Sequence, residues 1–288
     1  MSLDIFSINN TKIANCIRKE SNLPATRNVV TISKRMAKDK IQNHFVISQD
    51  LSYFEMAVAD AIYSVYLQGE KRFTPRKILI MLTGDERISL PKERKKQLET
   101  IVEKLCLTTI DIFCPQETNN KMSERYEGAF LSAVKEKTGF RFTKDRPLPL
   151  YAYGEDRKQM ITIPRFLLNV PGLSNTNENI LLKQYLIHEL ELVRNKNNSV
   201  REKTLRVLDY KNARLLSALE INLDEFSSIG SRNKKVKEIY KKIRLIFEYW
   251  SCEEQVGYLI QPIEFHDEDF SIYICPGMFC QDPMRLQN

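Results

Sequence analysis

The chain has 288 residues, of which 42% are hydrophobic and 28% are charged, and its net charge is +7. This length suits about two domains of roughly 100–200 residues each, and the apolar content excludes a disordered chain. The positive charge predicts an anionic partner, either nucleic acid or a membrane surface. No apolar run reaches the roughly 20 residues that span a bilayer, and the N-terminus lacks a signal-peptide pattern, so we expect a cytoplasmic protein that spans no membrane.

The predicted domain organisation begins after a polar N-terminal segment. Residues 1–42 are mixed in character and predict an N-terminal arm, with one short strand at Val29–Ser33. A first domain is predicted over residues 43–172 and a second over residues 173–288. No low-complexity linker separates the two domains, which indicates that they pack together.

The first domain opens with a predicted strand at Phe45–Ile47, followed by an amphipathic helix. Ser48 or Asp50 is expected to cap this helix, because a short polar side chain accepts hydrogen bonds from the free N–H groups of a first turn. Thr74-Pro75 predicts the start of a second, short helix. The glycines expected to close the two helices are Gly69 and Gly84.

A third helix, Pro91–Leu107, is basic in its N-terminal half. The alternating segment Thr108–Phe113 predicts a strand, and Lys121–Lys137 predicts a further helix. The turn-rich segment Gly139–Ile163 is interpreted as the extended wing of this domain. Its strand candidates are Leu150–Tyr153 and Met160–Ile163.

The second domain repeats the helix order of the first. A long helix is predicted at Asn177–Arg194, with helical pieces around Val200–Leu208 and Tyr210–Leu219. A third helix follows at Ser231–Trp250, for which Ser231 is the expected N-cap. The repeat is one of element order, without close identity between the two halves.

The helix Ser231–Trp250 has an apolar face and a basic face. Apolar residues recur at steps of three and four, at Val236, Ile239, Tyr240, Ile243, Phe247 and Trp250. The opposite face carries Lys234, Lys235, Lys237, Lys241 and Lys242. Such a face is either a solvated surface or a helix that lies against phosphates. We favour the second interpretation because of the segment that follows.

Two predicted strands follow this helix, at Gln255–Glu264 and Phe270–Cys275, with a polar tip at Phe265–Asp269. A helix followed by a two-stranded hairpin is how a winged-helix domain ends, and the helix before the wing enters a DNA groove. The sequence therefore predicts an α+β, helix-rich fold with two tandem winged-helix domains.

The sequence shows no pattern of an active site. There is no phosphate-binding loop of the G-x-x-x-x-G-K-[ST] type. Of the three histidines, His188 begins His188-Glu189-Leu190-Glu191, which lacks the second His of the H-E-x-x-H zinc motif. Neither a nucleophile with its base nor a metal site can be assembled from spacing. We therefore expect a binding protein, not an enzyme, with no cofactor and no metal.

Several motifs resemble those of a family of bacterial replication initiators carried by plasmids and related mobile elements. Phe54–Ala61, Tyr63–Tyr66 and Met81–Gly84 resemble its first winged-helix domain. Asn175–Tyr185 and Ile246–Trp250 resemble its second. The motifs occur in order and at fitting distances over roughly residues 45–275.

The resemblance implies sequence-specific binding of double-stranded DNA repeats at an origin and recruitment of host replication proteins. It does not imply catalysis. Initiators of this type often interconvert between homodimer and monomer, so a homodimer is a possible partner. Arg94 and Arg232 are the best candidates for reading guanine, because a guanidinium pairs with it bidentately. One feature departs from the family. The predicted wing tip His266–Asp269 is acidic, whereas a wing that contacts DNA is expected to be basic, because phosphates repel carboxylates. The DNA contacts placed on this sequence are Lys92, Arg94, Lys95, Lys96, Arg232, Lys234, Lys235, Lys237, Lys241 and Lys242.

Two alternatives are open at this point. A transcription regulator on the same scaffold would bind a short palindrome as a stable dimer. A metal-dependent nuclease of mobile-element processing would need carboxylates brought together from distant parts of the sequence. A cleavage assay with divalent cations separates the nuclease from the two binding proteins.

Overall fold

The computed structural model describes residues 5–8, 30–35, 42–114, 124–157, 159–194, 202–206, 213–250, 263–265 and 269–273. It is a mixed α+β structure of helices and small antiparallel sheets. The chain divides into a first unit, residues 1–165, and a second unit, residues 166–288. The division predicted from the sequence lies nearby, after residue 172.

Helix termini in the first unit follow the capping signals in the sequence. Ser52 caps the first helix through a capping box, in which its hydroxyl accepts from the Glu55 N–H and its own N–H donates to the Glu55 carboxylate. Ser48 and Asp50 were therefore the wrong cap residues. Thr74 caps the second helix, as predicted. The helices are α1 (Tyr53–Leu67), α2 (Pro75–Thr83), α3 (Lys92–Leu107) and α4 (Pro149–Asp156).

The glycines predicted to close the first two helices adopt the left-handed backbone conformation. The φ angle is 79° at Gly69 and 70° at Gly84. Residues with a Cβ atom rarely adopt this conformation, which explains glycine at both helix ends.

The described residues of the first unit form three antiparallel sheets. Their strands are β1 (Ile5–Ile8), β2 (Val30–Arg35), β3 (Gln42–Ile47), β4 (Arg72–Phe73), β5 (Thr109–Cys114), β6 (Glu124–Ala129), β7 (Ala133–Glu136), β8 (Gly139–Phe142) and β9 (Met160–Ile163). The strand orders of the sheets are β1-β9, β2-β3-β5-β6 and β4-β8-β7. Both described strands of the predicted arm belong to these sheets, since β1 pairs with β9 and β2 pairs with β3.

Two predicted elements of the first unit were wrong. The segment Lys121–Lys137 is not a helix, because strands β6 and β7 lie within it and pair with β5 and β8. Pairing with the neighbouring strands overrides the local helix preference of this segment. Leu150–Tyr153 is not a strand, because Pro149 opens helix α4 at a position where the missing N–H of proline has no cost.

Gly139 stands at the start of β8, where the chain passes close to β4. A Cβ atom at this position would lie 2.4 Å from the Phe73 carbonyl oxygen, a separation that side chains do not adopt. We expect Gly139→Ala to lower the free energy of unfolding by about 1–3 kcal/mol, the usual effect of overpacking. Urea unfolding should show this loss, whereas Thr138→Ala at the exposed neighbouring position should leave stability unchanged. Equal stability of Gly139→Ala and the parent protein would contradict the close approach.

The second unit contains three α-helices and one sheet among its described residues. The elements are α5 (Asn177–Arg194), β10 (Glu202–Arg206), α6 (Ala213–Ala218), α7 (Ile229–Trp250), β11 (Ile263–Phe265) and β12 (Asp269–Tyr273). Its strands have the order β10-β12-β11, in which the strand after the first helix pairs with the last strand of the hairpin. The first unit has the same strand order in β4-β8-β7. Its helices α1, α2 and α3 correspond in order to α5, α6 and α7, which agrees with the predicted repeat of helix order.

The second unit corrects two further predictions. The segment Val200–Leu208 contains strand β10, not a helix, because it supplies the third strand that the hairpin pairs with. Helix α7 begins before Ser231, and the hydroxyl of Ser228 accepts from the Ser231 N–H at 3.1 Å. Ser228, not Ser231, therefore occupies the capping position. The predicted strand Gln255–Glu264 and tip His266–Asp269 lie mostly outside the described residues.

The core of the second unit forms around α5, α7 and the segment before α5. Trp250 is fully buried, and its indole N–H donates to the Leu167 carbonyl at 3.0 Å. The Lys183 ammonium, also fully buried, donates to the neighbouring Leu168 carbonyl. Two consecutive backbone acceptors are thus satisfied by side chains of different helices.

Candidate nucleic-acid interface

Helix α7 has the two-sided character that its sequence predicts. Its buried residues are Val236, Ile239, Ile243, Ile246, Phe247 and Trp250. Tyr240, predicted for this face, is only half-buried, and Ile246 takes part in the core instead. Burial of six large side chains fixes the rotation of the helix, so its opposite face is held toward solvent.

The basic residues of α7 divide into two groups with different surroundings. Lys234, Lys237 and Lys241 are exposed and recur at steps of three and four residues, which places them on one side of the helix. They form no ion pair with any residue in the part of the chain that the structure describes. We call these three residues the exposed lysine row.

The second group is bound to carboxylates. Lys235 and Lys242 contact Glu178 of α5 at 2.6 and 2.7 Å. They also contact Glu238 of α7, at 3.5 and 2.6 Å. Burial disfavours the charge of Glu178, but hydrogen bonds from both lysines outweigh this effect and hold the pKa of Glu178 below its ordinary value. These four residues, which we call the paired cluster, connect α7 to α5.

Arg232 lies in the first turn of α7 and is half-buried. Its guanidinium approaches Asp224 at 3.8 Å, a distance that suits a weak ion pair. Its predicted contact with guanine requires the side chain to turn away from this position.

The basic residues of helix α3, in the first unit, also divide into exposed lysines and one residue that packs against another side chain. Lys92, Lys95 and Lys96 are exposed at its N-terminal end, and Lys95 is 3.8 Å from Glu99. The Arg94 guanidinium instead lies over the Phe54 ring, 5.5 Å from its centre.

The surroundings of Arg94 change its expected role. Its Nη1 donates to the Gln97 side-chain oxygen at 2.9 Å, and burial lowers its pKa from the ordinary value. A cation over an aromatic face is stabilised by about 0.5–2 kcal/mol, so reading guanine would require Arg94 to leave this contact. The three lysines are better placed for phosphates.

Sequence reasoning missed three residues that shape these faces. Glu178 is distant in sequence from the lysines it binds, and no local spacing reveals that pairing. Glu238 and Arg244 could have been found, because Glu238 precedes Lys242 by four residues and Arg244 precedes Glu248 by four. Arg244 is exposed and pairs with Glu248 at 2.9 Å.

Neither a membrane span nor a metal-binding cluster is found in the described ranges. No helix there combines the length and the apolar character needed to cross a bilayer. No group of three or more His, Cys, Asp or Glu side chains among the described residues is arranged to hold a metal ion.

The solved structures that are similar to this chain include two of domains 2 and 3 of RctB. One is a selenomethionine derivative with 10% sequence identity and a TM-score of 0.40, covering 85% of this chain and 90% of that one. The other has 10% identity and a TM-score of 0.42, covering 86% and 92%. No protein-family model matches the sequence, and a search of the curated proteins gives no match.

Proposed function

We propose that this protein binds double-stranded DNA sequence-specifically and initiates replication of a plasmid or other mobile element. The observation that carries the proposal is the exposed lysine row, held toward solvent by a buried face on the opposite side of α7. A second group of exposed lysines, Lys92, Lys95 and Lys96, lies on α3 of the other unit. Two basic helix faces, one in each of two linked units, are able to bind two consecutive segments of DNA.

The element order supports winged-helix domains in both units. In the first unit, helices α1, α2 and α3 precede the hairpin β7–β8, and β4 between the helices pairs with β8. In the second unit, α5, α6 and α7 precede the hairpin β11–β12, and β10 pairs with β12. In this arrangement the helix before the hairpin is the one that enters the major groove, and these helices are α3 and α7.

The binding mechanism follows from the charges. Each lysine that neutralises a phosphate releases condensed counterions, and this release supplies much of the affinity. Contacts with base edges in the major groove then distinguish one sequence from another. Linking the two units raises the effective concentration of the second once the first has bound. The proposed activity needs neither catalysis nor a cofactor.

The initiator role, rather than another DNA-binding role, rests on the motifs at Phe54–Ala61, Met81–Gly84 and Ile246–Trp250 that resemble plasmid initiators. It includes recruitment of host replication proteins and a homodimer that dissociates. A transcription regulator would share the two basic faces but would bind a palindrome as a stable dimer.

The experiment is fluorescence anisotropy with duplexes from the DNA flanking this gene, compared with random duplex at several salt concentrations. We expect tight binding confined to directly repeated segments, with a salt slope of about −5 if all six exposed lysines contact phosphates. Equal, weak binding to every duplex would overturn the DNA-binding proposal. Binding to a palindrome alone would favour the regulator. Transformation with a plasmid that carries only the repeats and this gene tests initiation directly.

A further inference from the structure

Glu238 is an acidic residue within the basic surface of α7. It lies four residues after Lys234 and three before Lys241, so it shares their side of the helix. Its side chain is 50% exposed. A carboxylate beside three lysines that face a phosphate backbone would weaken binding unless it contacts something other than phosphate.

The paired cluster holds Glu238 in a fixed position. The Lys242 ammonium contacts its carboxylate at 2.6 Å, and Lys235 contacts it at 3.5 Å. Both lysines are also bound to Glu178 of the neighbouring helix, so the support for Glu238 comes from outside its own helix. A positioned side chain loses less conformational entropy on binding than a free one.

The charges of the paired cluster balance, with two lysines and two glutamates. The hydrogen bond from Lys242 lowers the pKa of Glu238 from its ordinary value, so the group is ionised at neutral pH and acts only as a hydrogen-bond acceptor. Because Lys242 and Lys235 neutralise it locally, its repulsion of DNA phosphates is weakened.

We propose that Glu238 is a specificity-determining residue, whose carboxylate accepts a hydrogen bond from the amino group of a cytosine in the major groove. This inference rests on the proposed function. At 1.5 Å per residue, Lys234 and Lys241 are separated by about 10 Å along the helix, which corresponds to about three base pairs of 3.4 Å. Glu238 lies between them, where a base edge would be reached while the lysines bind phosphates.

Hydrogen-bonding chemistry explains why a glutamate at this position would select among base pairs without raising the overall affinity for DNA. Asp and Glu are the acidic side chains that accept from the cytosine N4 amino group. Opposite a thymine or guanine acceptor, the carboxylate would meet another acceptor and lose its water without a replacement hydrogen bond. Discrimination at that base pair would therefore be strong, whereas binding to random DNA would be slightly impaired.

The test is selection of bound sequences from a randomised duplex library, with parent protein, Glu238→Gln and Glu238→Ala. We expect the parent protein to prefer cytosine at one position by about tenfold or more. Glu238→Gln should shift that preference to adenine, the base that an amide pairs with bidentately. Glu238→Ala should lose the preference and bind random duplex more tightly, with an unchanged salt slope.

Glu248→Gln is the matched control, because Glu248 is also exposed on α7 and pairs with a cation four residues away, Arg244. It should leave the selected sequence unchanged. If the parent protein binds specifically but Glu238→Gln selects the same bases, the inference about Glu238 is wrong and the proposed function stands. If the parent protein selects no sequence, the proposed function fails as well. Circular dichroism confirms that each variant is folded.

Discussion

Replacing the exposed lysine row, Lys234, Lys237 and Lys241, by alanine is expected to weaken specific DNA binding by about 100-fold at 0.15 M salt. If each lysine neutralises one phosphate, the slope of log affinity against log salt becomes shallower by about 2.7. The folded state should be unaffected, because these side chains are exposed. Anisotropy titrations at four or more salt concentrations measure both quantities.

The matched control is a triple variant that removes the same number of positive charges as the variant of the exposed lysine row. It removes them from side chains that are already bound to carboxylates. Lys77, Arg125 and Lys135 contact Glu70, Asp111 and Glu103, respectively. Their triple alanine variant should retain the salt slope of the parent protein within about one unit. Equal weakening by both triple variants would mean that net charge alone drives binding and that α7 has no special role.

A second large effect concerns Lys183, whose fully buried ammonium donates to the Leu168 carbonyl. Burial lowers the pKa of Lys183 to about 8, whereas an unfolded lysine titrates near 10.4. Between these two values the unfolded state binds more protons than the folded state, so the contribution of Lys183 to stability rises with pH. Below pH 8 Lys183 is charged in both the folded and the unfolded state, so the free-energy penalty for burying its ammonium group is present in full.

The measurement is urea unfolding of the parent protein and Lys183→Met from pH 7 to pH 10.5. The difference in unfolding free energy, parent minus variant, should rise by about 3 kcal/mol over this range. Other titrating groups are common to both proteins and cancel. Lys237→Met, at an exposed position, is the control for the replacement of a lysine by methionine. A difference that stays flat with pH would mean that Lys183 keeps its proton through another contact.

Local sequence signals predicted the ends of the helices more accurately than they predicted the strands. Thr74-Pro75 and the two closing glycines placed the ends of α1 and α2, because capping depends on residues within one turn. The segment containing β6 and β7 was predicted wrongly for the opposite reason. Its structure depends on hydrogen bonds to the neighbouring strands β5 and β8, and pairing between strands leaves little trace in the local periodicity of one segment.

The same distinction applies to the candidate site. Periodicity identified the buried and basic faces of α7, but it could not separate the exposed lysine row from Lys235 and Lys242. That separation depends on Glu178, which only the folded structure brings to α7. Arg94 likewise meets Phe54 only because α3 packs against α1.

The pairing of the first and last strands of the first unit affects how the chain folds during synthesis. Ile5 of β1 pairs with Ile163 of β9, so this unit cannot complete its sheets until residue 163 has left the ribosome. Contacts so distant in sequence make folding slow, because a long loop must close before they form. All described strands of the first unit leave the ribosome before the second unit has been fully translated, so the nascent chain can mature one unit at a time.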